Sequence, residues 1–204
     1  MIKKAIRIML VVFAIFVGLY PALYFVLDRK FALLATKSDA LLINPFWNIG
    51  FYAHIIAGGL ALLIGWVQFN ASIRRINPGF HKLIGKTYII AVLFSSTGAF
   101  YIGFFATGGP VASLGFVLLA IIWFVTTVMA YYNIRNGQIE AHKKLMIYSY
   151  AACFAAVTLR IWFPLLMLLI GDYNTAYVMA AWLCWLPNLL VAHFISRRPD
   201  ILRI

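Results

Sequence analysis

The sequence predicts an all-α polytopic membrane bundle of six spans with both termini cytoplasmic, and three observations carry that prediction. Of 204 residues, 65% are hydrophobic and only 11% charged, whereas soluble domains run near half apolar and a quarter charged. Six stretches stay apolar over the ~20 residues a helix needs to cross a bilayer: near 5–27, 47–69, 83–105, 112–133, 145–170 and 176–196. The basic residues are also partitioned. Lys3, Lys4, Arg7, Arg74, Arg75, Lys82, Lys86, Arg135, Lys143, Lys144, Arg197, Arg198 and Arg203 fall on one side, against Arg29, Lys30 and Lys37 on the other. A Lys/Arg excess marks the cytoplasmic side. The net charge of +12 therefore reads as topology plus attraction to anionic lipid on that side, and not as a nucleic-acid footprint. The expectation is a multi-pass protein of the bacterial inner membrane, a single transmembrane domain over 1–204.

Each element follows from its residues. The opening "MIKKAIRIMLVVFAIFVGLYPALYF" has the basic start of a signal peptide. Its apolar run exceeds an h-region and no small-x-small site follows, so it reads as an uncleaved first span. Residues 28–46 form the one long loop, whose apolar, partly helical pattern predicts a segment lying along the outer surface. Span two repeats small residues at Ala57, Ala61 and Gly65, a spacing that permits close helix approach, with Gly50, His54 and Gln68 on the same stripe. "INPGF" and "RNGQ" supply inner turns, and "ATGGP" an outer turn. Span three carries His81, Gly85, Tyr88, Val92, Ser95 and Ala99 at helical spacing. "GFHKLIGKTY" entering span three is echoed by "EAHKKLMIYSY" entering span five, where His142, Ser149, Cys153, Ala156 and Arg160 share a stripe. Cys153 and Cys184 fall inside spans at different depths and read as buried free thiols.

Arg160 is the residue that asks for a function. An arginine at bilayer depth costs about 2.5–3.5 kcal/mol on insertion scales. It lies ten residues from the outer end of its span, roughly 15 Å, too far to snorkel from an intact helix. Pro164 removes the hydrogen bond to the Arg160 carbonyl and predicts a kink there. His142 and Arg160 are 18 residues apart, about five turns, which predicts that Arg160 points into the bundle. Asp28, Asp39, Glu140, Asp172 and Asp200 all fall in loops or at a terminus. The five guanidinium donors must then be met by carbonyls, hydroxyls, water or an anionic ligand. A haem propionate, a quinone carbonyl and a lipid phosphate all qualify, and a clamp on backbone carbonyls is the structural alternative. His54 falls at similar depth with Ser95, Ser96, Thr97, Tyr101 and Thr158, and together they predict an outer polar pocket. His81, His142 and His193 map to the inner end near Glu140, where three imidazoles suit a transition metal or simply an interfacial headgroup zone.

Three stretches, "HIIAGGLALLIGWVQF", "HKLIGKTY" and "HKKLMIYSYAACFAAVTLRI", cover most of residues 50–165. On them the chain resembles a bacterial family of membrane proteins known as a domain of unknown function. The resemblance implies that His54, His81, His142 and Arg160 are its marked positions. More distantly the chain resembles the superfamily of two-haem b-type cytochromes and transmembrane ferric reductases. That resemblance implies haem b, electron transfer, and a quinone or a redox partner protein. Bis-histidine haem needs two imidazoles at one depth, and this chain has one outer histidine and three inner ones, so at most one haem is expected. Three functions compete. The first is a redox protein with haem or quinone held by His54, Arg160, His81 and His142. The second is a lipid- or small-anion-binding, transport or assembly protein. The third is a hydrolase with a metal on His81, His142 and His193.

Overall fold

A computed structural model describes residues 2–27 and 30–197, helical throughout with no strand among them. Asp28, Arg29, Arg198, Asp200 and Arg203 lie outside the described residues, as do the side chains of Lys3, Lys4 and Arg7. Six helical segments among the described residues are long and apolar enough to cross a membrane: Ile8–Val26, Pro45–Phe69, Pro78–Gly103, Gly109–Arg135, Ile139–Ile170 and Tyr173–Ser196. The last five begin two to six residues before the apolar runs do. Capping explains three of the five early starts. Asn44 Oδ1 accepts the Trp47 N–H at 3.1 Å, Asn77 Oδ1 the Phe80 N–H at 2.9 Å and Asp172 Oδ2 the Thr175 N–H at 2.7 Å. Pro45 and Pro78 occupy the first helical positions. Such residues start helices in polar sequence, which a hydropathy window passes over.

The helices are α1 (Ile2–Leu19), α2 (Pro45–Gly65), α3 (Pro78–Gly103), α4 (Gly109–Arg135), α5 (Ile139–Cys153), α6 (Ala155–Ile170), α7 (Tyr173–Leu183) and α8 (Leu186–Ser196). α5 with α6 forms the fifth span and α7 with α8 the sixth. α2 packs most extensively on α3, α4 lies between α3 and α5, and α1 leans on α2 and meets α6. The bundle has a basic end, where α3 and α5 begin, and a loop end covered by residues 30–44.

The α2–α3 contact is close because it is made by glycine. A Cβ on Gly98 would lie 2.5 Å from the Gly50 carbonyl oxygen and 3.1 Å from the His54 nitrogen. The core beside it is built from Ala61, Leu62, Tyr88, Val92, Trp123, Met146, Cys153 and Val157. At the loop end the first loop folds as short helical turns over Ala32–Thr36 and Asp39–Leu42. It drives Leu34 and Leu42 against Trp47 and Phe51. Lys37 Nζ then straps this loop to the α3–α4 turn by donating to the Phe105 carbonyl and to Thr107 Oγ1.

Both breaks within spans differ from expectation or were not foreseen. The fifth span is interrupted at Phe154, where the Val157 N–H reaches back only three residues, to the Phe154 carbonyl at 2.9 Å. Pro164, where a kink is expected, lies inside α6, which continues as helix through it. The sixth span breaks at Cys184–Trp185 ahead of Pro187. Its Cys184 carbonyl accepts from Thr158 Oγ1 and from Asn188 Nδ2, the latter at 2.9 Å. A broken helix survives in a bilayer where side chains satisfy its freed backbone groups.

Two outcomes test this packing. Gly98→Ala forces backbone apart and is expected to cost about 1–3 kcal/mol in detergent unfolding, while Gly79→Ala, with only Asn77 Oδ1 at 3.6 Å, leaves stability unchanged. Burial holds the Lys37 ammonium below its usual 10.5. The unfolded chain therefore binds the proton more tightly, and stability rises as pH climbs from the lowered folded value towards 10.5. Lys37→Met removes that rise, read as the difference between the two unfolding midpoints across alkaline pH.

Candidate functional site

Arg160 does not point into the bundle. Its residue is exposed on the flank between spans one and five, because the count of whole turns from His142 does not carry across the break at Phe154. The guanidinium lies over the Tyr20 ring, 4.4 Å from its centroid, and Nη1 donates to the Ala156 carbonyl one turn back at 2.8 Å. An arginine on an aromatic face gains about 0.5–2 kcal/mol, more where water is absent. Tyr24 and His54 lie within Coulombic reach of the same charge. Tyr20, Tyr24 and Phe31 stack edge-on or tilted, at 5.4–5.9 Å between centroids, so the first loop roofs the site with an aromatic ring. No acidic side chain pairs with Arg160 among the described residues. Asp39 pairs with Lys30 and Glu140 with Lys143, and Asp172 caps α7.

His54 is held rather than free. Its Nδ1 lies 3.1 Å from Ser95 Oγ and 3.2 Å from the Ser95 carbonyl, while Ser95 Oγ donates back to the His54 carbonyl at 2.8 Å. The other residues expected around it disperse. Ser96 bonds its own helix at Val92, Thr158 turns to the sixth span, and Thr97 and Tyr101 line an apolar groove on the opposite flank of α2. That groove, about 610 Å³, runs between α2 and α3 past Phe46 and Phe94, and neither Arg160 nor any histidine lines it.

Midway through the bundle a directed hydroxyl chain runs between α3, α5 and α4. Thr127 Oγ1 donates to the Trp123 carbonyl at 2.7 Å. Ser149 Oγ must then donate to Thr127 (2.7 Å) and Tyr88 to Ser149 (2.9 Å). All three side chains are fully buried. Periodicity placed Tyr88 and Ser149 on facing stripes, but only packing reveals Thr127 between them.

The histidines of the basic end separate. His81 and His142 are each the fourth residue of their helices and lie within Coulombic reach of each other. His142 Nδ1 meets the Ala130 carbonyl at 2.8 Å. His193 instead pairs with the Tyr148 hydroxyl at 2.9 Å. Among the described residues no three His, Cys, Asp or Glu side chains gather as a metal site, so the expected His81–His142–His193 set is not assembled. A two-haem arrangement does not fit these side chains either. His54 is tied to Ser95, and no second histidine stands at its end of the bundle among the described residues. Sequence reasoning missed Tyr20, Tyr24 and Phe31, because their meeting with Arg160 requires spans one and five, distant in sequence, to pack together.

Ser149→Ala should cost about 1 kcal/mol, the scale of hydrogen bonds inside membranes, by orphaning the Tyr88 hydroxyl. Adding Tyr88→Phe should recover much of that loss, and unfolding of both variants in detergent measures it.

A model of the family described as predicted membrane protein (DUF2306) matches residues 51–196. That stretch runs from α2 to the end of α8 and holds His54, Gln68, His81, His142 and Arg160. No curated protein and no solved structure matches the chain. With six membrane-length helical segments and a family match over most of its length, the chain belongs to the DUF2306 family of predicted membrane proteins.

Proposed function

We propose that this membrane protein binds the acidic head of a lipophilic ligand in the crevice between spans one and five, as a binding, transport or assembly component and not as a catalyst. The observation that carries the reading is Arg160, a membrane-depth guanidinium with one carbonyl, one aromatic face and no acidic partner among the described residues. Nη1 alone has a hydrogen-bond acceptor in the protein, and at this depth lipid tails offer none of the acceptors that water would. An anionic oxygen head restores both charge balance and hydrogen bonds. The Tyr20 and Tyr24 phenols supply further donors beside it, and the aromatic roof of Phe31 suits an acyl or ring body. Tyr20 lies six residues from the end of the first span at Val26, roughly 9 Å below it, so the head enters from the loop end or from the outer leaflet. In this reading the basic end faces the cytoplasm of a bacterial inner membrane.

A second reading keeps the ligand but makes it a quinone in a redox protein. The juxtaposition of two phenols, a guanidinium and His54 favours it, because quinone carbonyls accept from such donors. One preparation separates the two. The protein is purified in mild detergent, its bound small molecules are extracted and identified by mass spectrometry, and oxidised and dithionite-reduced spectra are recorded. The expected result is an acidic amphiphile, no redox-sensitive band, and at least tenfold less ligand in Arg160→Leu, with part retained in Arg160→Lys. A loss of this size corresponds to about 1.4 kcal/mol or more, within the range of charge-assisted hydrogen bonds. Copurified quinone would establish the second reading. Unchanged ligand content in Arg160→Leu, or loss of Arg160-dependent stability on Asp28→Asn, would make the arginine structural and overturn both.

A further inference from the structure

The basic end holds a second group of unmet donors, separate from Arg160. Among the described residues five buried side-chain nitrogens lack a hydrogen-bond partner, and three of them, on Trp66, Gln68 and His81, lie at this end. Gln68 is the most informative. Its residue is only 9% exposed, and its Nε2 is buried without a partner. The carboxamide rests on Gly85, where a Cβ would stand 3.2 Å from Oε1. Gly85 is one turn above His81 on the same face of α3. His81 in turn shares its surroundings with His142 and Arg74. Both histidines stand in the first turn of helices that begin at this end, so two helix N-termini add their positive ends to the recess. Arg75, Lys82, Lys86 and Lys144 belong to the helices and turns of the same end, and its acid, Glu140, is engaged by Lys143 at 3.0 Å.

Unmet buried donors in a strongly positive setting select for an acceptor that carries negative charge. A cation is repelled by the same field, and an apolar tail meets none of the donors. We propose that the Gln68–His81 recess is a phosphate-binding site, taking either the headgroup of an anionic phospholipid or a free phosphate. Gln68 Nε2 and a ring N–H of His81 donate to its oxygens, and the basic rim supplies the long-range attraction. Gly85 is the residue that leaves room for the amide to reach its place.

The site is tested on the full chain in detergent by native mass spectrometry and thermal melting, with phosphatidylglycerol, phosphatidylcholine and inorganic phosphate as probes. Phosphatidylglycerol is expected to bind and to raise the melting temperature, and phosphatidylcholine to do so at least tenfold more weakly. Gln68→Leu and His81→Phe should each weaken the binding tenfold or more. Gln68→Glu keeps the size of the side chain but repels the anion, and should abolish it. Arg160→Leu should leave this binding unchanged, which separates the site from the crevice at the other end. Binding of phosphatidylglycerol alone identifies a lipid site, and binding of inorganic phosphate as well identifies a free-anion site. Equal binding of all three lipid and phosphate probes, or wild-type affinity in folded Gln68→Glu, overturns the proposal.

Discussion

The structure depends on the crossing of α2 and α3, where two backbones come together at Gly50 and Gly98. Lipid supplies no hydrophobic drive between helices, so association rests on close packing and on polar groups that find partners. Glycine permits the approach, and the His54–Ser95 exchange fixes its register. His54 Nδ1 and the Ser95 hydroxyl each reach the other helix. A slip by one residue on either helix would strand a buried imidazole and a buried hydroxyl in hydrocarbon. That pair of costs makes the register specific, where the alanine and glycine stripe alone would tolerate neighbouring alignments.

From that crossing the polar groups are met outward in steps. The Tyr88–Ser149–Thr127 chain ties α3 to α5 and α4, and Thr158 with Asn188 closes the break in the sixth span. Each link uses a hydroxyl or amide from one helix to serve another. The kinked fifth and sixth spans therefore cost little, since the carbonyl freed by a break has an acceptor's role waiting for it. Tyr150 extends the same logic. Its ring lies against Gly65, and its hydroxyl donates to the Leu62 carbonyl.

The spans were legible because bilayer thickness imposes a length and a composition that twenty residues display openly. The partnership of His54 with Ser95 was legible to the extent that both lie on inward stripes of neighbouring helices. The Phe154 break was not, since neither glycine nor proline marks it, whereas Pro164 lies inside a helix that runs on without a break. A proline inside a helix costs one hydrogen bond without ending the helix. Arg160 was legible as an anomaly and illegible as a geometry. Its side chain follows the orientation of α6, which the break one and a half turns earlier resets, and its aromatic partner, Tyr20, comes from the first span, more than a hundred residues away in sequence.

Among the described residues the unmet buried nitrogens lie mostly towards the ends, with one, on Trp123, in the core. In the middle of the bundle the hydroxyls are closed into chains, and the carbonyls that helix breaks release are taken up. Towards the two ends, Arg160 on one side and Gln68 with His81 on the other retain donors that no described residue satisfies. A sequence that troubles to bury and satisfy Ser149, Thr127 and Ser95 in the core shows what this fold can do with polar groups. Apolar replacements at Gln68 or Arg160 would have removed the desolvation cost at a stroke. In the two readings proposed above, the acceptor that these donors lack at either end of the bundle is brought by a bound anion.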